Sequence, residues 1–200
     1  MTEKWQGLET YKMTTVRGFV IAGGQSKRLG AHDKTRLELS GVVLIRRALD
    51  MALSVSSDVE VVADRWDRFS DLGISSLEDE GTDGPVAGWR RVLSALGDDE
   101  VACLIPVDLK TFSPSWVQCL IRVVQRTGRP SAFVSQSHWV EPYPCVIPGD
   151  VNPALLEKGM ALRDALRAMR VMRVARPDNF PDHPSLNTVE SLQGAGVRLI

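Results

Sequence analysis

From Val16 onward the chain alternates short apolar runs with stretches in which apolar residues recur every three or four positions. Arg17-Gly-Phe-Val-Ile-Ala22 is a compact apolar run that stops at two glycines, the form of a buried strand feeding a loop. Ile45, Ala48, Leu49 and Ala52 fall at i, i+3, i+4 and i+7, which makes one face of a helix apolar. Val59-Glu-Val-Val-Ala63 reads as a second strand. Trp89, Val92, Leu93 and Leu96 repeat the helical spacing, with Gly97 as its stop and Gly84-Pro85 as its entry. Val101-Ala-Cys-Leu-Ile-Pro106 predicts a third strand that runs out to Asp108. A helix then starts after Ser113-Pro114, buries Val117, Leu120, Ile121 and Val124, and ends at Gly128. Residues 131–135 and 143–147 read as two further strands. Leu162, Ala165, Leu166 and Met169 give one more amphipathic helix, and 171–175 a last short strand.

Strand–helix alternation at this spacing predicts an α/β domain with a mostly parallel sheet and helices on both faces. The 200 residues suit one such domain, over 16–200, preceded by a polar tail over 1–15. No internal repeat or interdomain linker interrupts it. Ligands of open α/β sheets bind outside the carboxyl ends of the strands. That rule selects the loop after Ala22, the Asp64-Arg65 turn, and Asp108 with its neighbours.

Composition narrows the partners. With 24 basic and 25 acidic residues the net charge is −1, which offers no global field for nucleic acid or an anionic membrane. Any phosphate must be held by a local site. Cys103, Cys119 and Cys145 are too few and too widely spaced for a disulfide framework or a zinc site. They point to a reducing, cytoplasmic setting, with Cys103 and Cys119 inside apolar runs as buried thiols. No stretch approaches the ~20 apolar residues that a bilayer requires.

The glycine loop carries the strongest chemical signal. Gly23 and Gly24 let the backbone turn sharply and approach a ligand closely, and Lys27, Arg28 and Lys34 follow. Backbone N–H groups with fixed cations make a phosphate site. The spacing is neither that of a P-loop nor G-x-G-x-x-G. Asp108 ends a strand expected to be central, where a buried carboxylate needs compensation. Mg²⁺, held by one or two carboxylates and substrate phosphates, would provide it; the other reading is a cap of the following helix. The acidic stretch 77–85 is a solvated turn or a second acid near the phosphates. His32, His138 and His183 have no ligand spacing, and Trp89 and Trp116 fall at core positions. The arginines along 163–176 form a solvated face or meet an anionic second substrate.

Ile21-Ala-Gly-Gly-Gln-Ser-Lys-Arg-Leu-Gly-Ala-His-Asp-Lys34 closely resembles the signature L-A-G-G-x-S-x-R-M-G-x-D-K of molybdenum cofactor guanylyltransferases. Leu37-Glu-Leu-Ser-Gly41, Gly84-Pro-Val-Ala-Gly88, Ile105-Pro-Val-Asp108, Glu141-Pro-Tyr-Pro-Cys145, Leu162-Arg-Asp-Ala-Leu166 and Leu186-Asn-Thr-Val-Glu190 are similar to the family's later elements, in order. The resemblance implies a three-layer α/β/α fold of the nucleotide-diphospho-sugar transferase type. It implies transfer of GMP from GTP to molybdopterin, in the form of the molybdenum cofactor, with release of pyrophosphate. Ile21, Ala22, Gly23, Gly24, Lys34, Asp79 and Asp108 would bind the nucleotide, Arg28 and Lys34 would be catalytic, and Asp108 would hold Mg²⁺. Proteins that deliver or receive the cofactor are implied partners. The chain departs from the family where its Asn after the second strand is Val62, with Asp64 two places on. Val107 replaces the Cys of P-C-D, Leu109-Lys110 the following Pro, and Ser185 the first Asn of N-x-N-T. These leave open a relative that uses CTP or another phosphorylated acceptor, and a catalytically silent nucleotide-binding homologue.

Overall fold

The computed structural model describes residues 15–23, 33–79, 84–135, 138–181, 185–186 and 197–198. The tail over 1–14 lies outside them, as do Gly24, Arg28, His32 and His183. The first apolar run is strand β1 (Thr15–Ile21), which begins two residues before the expected Arg17 because Thr15 and Val16 pair with Glu100 and Val101. Two short strands, β2 (Glu38–Leu39) and β3 (Val42–Val43), precede helix α1 (Leu44–Leu53). Then come β4 (Val59–Ala63), β5 (Ser76–Glu78), α2 (Ala87–Leu93) and β6 (Glu100–Pro106). Helix α3 (Pro114–Thr127), β7 (Ser131–Val134), β8 (Val140–Pro148), α4 (Leu162–Ala168), β9 (Met172–Ala175) and β10 (Val197–Arg198) complete the order.

Seven strands form one sheet in the order β5-β4-β1-β6-β8-β7-β9, and β10-β2-β3 form a small second one. In the large sheet β8 alone runs antiparallel, between β6 and β7. The expected mostly parallel sheet is therefore present, with its reversed strand at 140–148. β6 is the fourth of the seven strands, as central as its unbroken apolar sequence predicts. Alternate side chains of β6 serve opposite faces. Cys103 and Ile105 meet the face covered by α1 and α3, while Ala102 and Leu104 meet α2 and α4. The result is a three-layer α/β/α sandwich.

Several local expectations are corrected. α2 stops at Leu93 and its chain turns at Ser94, so Leu96 packs on the core from outside the helix and Gly97 lies beyond its end. Pro85 is not the first residue of that helix but sits in a 3-10 turn, Gly84–Val86, ahead of it. Cys119 is half-buried, because its place on α3 falls beside the apolar stripe of Val117, Leu120, Ile121 and Val124. Cys103 and Cys145 are the buried thiols, and burial pushes Cys103 up to about 12. α3 otherwise keeps both expected ends, with Ser113 as N-cap residue and Gly128 in the left-handed conformation that a glycine adopts without strain (φ 62°). Small strands β2, β3, β5 and β10 carry too few residues to show a period.

The amino end of β1 is held by charge. Arg17 sits between the neighbouring strands, 2.5 Å from Glu60, 3.3 Å from Glu100 and, through Nε, 3.0 Å from Asp58. Its guanidinium also donates to the Ala95 carbonyl. One mostly buried cation thus serves three carboxylates. Replacing Arg17 by Leu removes their shared partner, and the stability from urea unfolding should fall by about 2–3 kcal/mol. An unchanged midpoint would show that solvent compensates the three acids.

Candidate active site

The carboxyl ends of β1, β4 and β6 share one edge, because the three strands are parallel neighbours. Two residues past β6, in a turn, lies Asp108, only 9% exposed. Lys34 opens a 3-10 turn, Lys34–Arg36, and its Nζ donates to Asp108 Oδ2 at 2.5 Å. The side chains are 12% and 13% exposed. Two residues 74 positions apart, each costly to bury alone, compensate one another. The cap reading for Asp108 fails, since Ser113 occupies that position on α3.

Both partners are anchored through their backbones. Leu186 N donates to the Asp108 carbonyl at 2.8 Å, and Ser185 bridges Leu109. The Leu186 side chain packs with Leu37, Leu39 and Leu44, just beyond Lys34. On the Lys34 side, Asp33 caps the 3-10 turn by accepting from Thr35 N and Thr35 Oγ1. Arg68 then donates to both Asp33 oxygens, at 3.1 and 3.2 Å, and to Asp64 Oδ1 at 2.7 Å. Arg36 adds a two-pronged pair with Asp71 and a bond to the Arg68 carbonyl. The segment carrying Lys34 is thereby tied to the chain that leaves β4. Sequence reasoning missed Arg68, whose only visible clue is an acid four residues earlier.

On the other side of β1, Gly23 meets Asp79. A Cβ on Gly23 would lie 2.7 Å from Asp79 Oδ2, so this glycine is required for the carboxylate to approach the strand end. The same oxygen is 3.7 Å from a Cβ placed on Gly88 in α2, and Ile21 also lines Gly88. Asp79 N donates to the Ala63 carbonyl and Ala22 N to that of Val62. Of the expected residues, then, Ile21, Ala22, Gly23 and Asp79 gather around β1, and Lys34 with Asp108 around β6. Gly24 and Arg28 lie outside the described residues. Val62 is fully buried in the core, and Asp64 is engaged by Arg68.

The floor of the edge beyond β6 is Tyr143 of β8. Its hydroxyl accepts from Trp89 Nε1 at 2.8 Å, and the two rings meet edge to face. Burial pushes the Tyr143 phenol above its ordinary value and the nearby Asp108 charge adds to this, against the Trp89 bond. The phenol therefore stays protonated beside the carboxylate. Among the described residues no three acids, histidines or cysteines converge as a metal cage.

A glycine-lined strand end, a lysine–aspartate pair at the centre of the edge and a single reversed strand in a three-layer sheet define a nucleotidyltransferase-type domain. The chain belongs to the MobA-like NTP transferase domain family, which matches residues 18–179. It is 25% identical to a molybdenum cofactor guanylyltransferase of Shewanella baltica over 192 residues, covering 90% of this chain and 95% of that protein. It is likewise 25% identical to one of Pseudomonas fluorescens over 181 residues, covering 87% and 90%. The fold is shared with the crystal structure of an Rv0371c homologue from Mycobacterium sp. strain JC1, at a TM-score of 0.70 and 21% identity, covering 90% and 93% of the two chains. The chain is accordingly a transferase of nucleotidyl groups. Among the described residues no helix is long and apolar enough to cross a membrane.

The Asp33 clamp has a pH signature. Burial alone would raise its carboxyl, but the Thr35 hydroxyl, the Arg68 guanidinium and the Thr35 amide outweigh it and hold it below its ordinary value. Such a group contributes stability above its unfolded pKa, near 4, that is lost as pH falls through the lower folded value. Asp33→Asn should cost about 1–2 kcal/mol at pH 6, and the difference from wild type should shrink below pH 4. A gap that is constant from pH 6 to pH 3 would mean the charge of Asp33 is not what Arg68 uses.

Proposed function

We propose that the chain transfers GMP from GTP to molybdopterin carried as the molybdenum cofactor, releasing pyrophosphate. The Lys34–Asp108 pair at the centre of the carboxyl edge carries the reading. It puts one cation and one carboxylate side by side at the end of the central strand, next to a glycine-lined approach for phosphates. Relatives named for this reaction align with about nine-tenths of the chain, which supports the acceptor. The reducing, cytoplasmic setting read from the cysteines accords with it, and the reaction would call for proteins that deliver or receive the cofactor.

In this reading a terminal phosphate oxygen of the acceptor attacks the α-phosphorus of GTP in line. A new P–O–P linkage forms, the bond to the β-phosphate breaks, and pyrophosphate leaves with that electron pair. No protein nucleophile is needed, because the acceptor phosphate is already ionised near neutral pH, so positioning and charge neutralisation supply the catalysis. Ile21, Ala22, Gly23 and Gly24 offer backbone to the nucleotide, with Asp79 beside them. Lys34 and Arg28 counter charge as it develops on the phosphates.

Asp108 fits a Mg²⁺ ion. Its Oδ2 is held by Lys34, while Oδ1 has no hydrogen-bond partner among the described residues, leaving a hard oxygen donor at the substrate edge. A single carboxylate is enough where substrate phosphates and water complete the set. When bound, Mg²⁺ would neutralise phosphate oxygens and ease the departure of pyrophosphate.

The base is read differently from the family pattern. Val62 is sealed in the core and Asp64 is paired with Arg68, so guanine selection rests on backbone carbonyls at the end of β1.

A pyrophosphate-release assay with GTP, ATP and CTP, with and without molybdenum cofactor, tests this. We expect cofactor-dependent release that favours GTP, by a margin smaller than a side-chain contact to guanine gives. A preference for CTP, or no dependence on cofactor, would retire the guanylyl reading. Asp108→Asn keeps the shape but not the charge, and should lower Mg²⁺-dependent turnover at least a hundredfold while the fold survives. Turnover within a few-fold of wild type would remove Asp108 from the metal site.

A further inference from the structure

The nucleotide-side groups, Gly23, Asp79 and Gly88, all lie on the β1–β4 side of Asp108. The β8–β7 side of the same edge carries none of them. β7 runs parallel to β6 by way of the reversed β8, so the β7–β8 hairpin projects from the edge that holds Asp108. The pairing of β8 with β7 shifts from Ala132–Cys145 to Val134–Val140, so Val140 stands two residues outward of the Leu104 level, near that of Pro106, and Trp139 precedes it in the hairpin. Tyr143 meets Trp89 of α2 and Val140 packs on the same core, so the outer part of β8 serves the face of α2 and α4. The contacts agree: the guanidinium of Arg163, from α4 on that face, lies 5.7 Å over the Trp139 ring.

This indole is 50% exposed, yet its backbone is fixed. Ser135 N donates to the Trp139 carbonyl at 2.7 Å, Trp139 N to Ser135 Oγ at 3.1 Å, and the Arg173 guanidinium holds the His138 carbonyl. A large ring held half in solvent at a substrate edge, with a cation on one face, is a stacking surface prepared in advance. Among the described residues Arg163 otherwise pairs with its exposed neighbour Asp164, at 3.5 Å.

We propose that Trp139 and Arg163 form the acceptor platform. The open face of the indole takes a flat conjugated ring, and the Arg163 guanidinium takes the negative charge attached to it. The inference rests on the proposed function, in which the acceptor is a pterin ending in a phosphate. It deepens that reading by giving the ring and its charge named partners, remote from the nucleotide.

Steady-state kinetics of Trp139→Ala, Trp139→Phe and Arg163→Gln test it, varying acceptor and GTP in turn. Stacking on an aromatic side chain predicts about a tenfold rise in the acceptor KM of Trp139→Ala. The GTP KM should stay within twofold, and Trp139→Phe should restore most of the loss. Arg163→Gln should raise the acceptor KM several-fold and weaken its dependence on salt. An unchanged acceptor KM in Trp139→Ala overturns the platform, and so does a parallel rise in both KM values, which would make Trp139 structural. Calorimetric binding of a pterin phosphate to wild type and Trp139→Ala separates this from the parent reading. If wild type binds the probe at least tenfold more tightly than the variant but transfers nothing, the platform stands and the guanylyl reading falls. Equal binding by the two proteins overturns the platform whatever the assay of transfer shows.

Discussion

The site depends on one contact between distant parts of the chain, the Lys34–Asp108 ion pair. Both side chains are almost withdrawn from water at the end of the central strand, and each alone would carry a desolvation cost of several kcal/mol. Together they form a neutral unit at the end of β6. In the proposed reaction the same two charges would meet a nucleotide's phosphates, so the groups that stabilise one another before binding are those the reaction would use.

Holding that pair at 2.5 Å requires both backbones to be fixed. On the Asp108 side, the Leu186 segment returns late in the chain to bond the Asp108 carbonyl and pack against Leu37, Leu39 and Leu44. On the Lys34 side, Asp33, Arg68 and Asp64 tie the lysine's turn to the end of β4. The same clamp that steadies Lys34 occupies Asp64. In the proposed reaction, the geometry that would serve phosphate handling therefore engages a side chain that could otherwise read the base.

A net charge of −1 makes this local arrangement necessary. Without a global field, specificity for an anionic ligand has to come from a few cations fixed in a low-dielectric edge. Lys34 is such a cation, and the proposed platform adds the more exposed Arg163 on the β7–β8 side. The reversed strand β8 puts the β7–β8 hairpin, and with it Trp139, at that same edge.

The periodic elements were legible in the sequence. Ile45, Ala48 and Ala52 form the buried stripe of α1, Ser113 and Gly128 bound α3, and the strands of the large sheet other than β5 follow their apolar runs, because burial repeats with the period of the backbone. The family resemblance along the chain named Ile21, Ala22, Gly23, Lys34, Asp79 and Asp108, which the fold brings to one edge, and also Gly24 and Arg28, which lie outside the described residues. What the sequence could not show are relations without a period. The end of α2 at Leu93, before the helical spacing runs out at Leu96, was decided by the turn at Ser94. The reversal of β8, the bond from Leu186 to Asp108 and the grip of Arg68 on Asp33 and Asp64 join residues far apart in the chain. Local pattern records which side chains avoid water. Which charge finds which partner is settled only when the folded sheet brings their backbones within hydrogen-bonding distance.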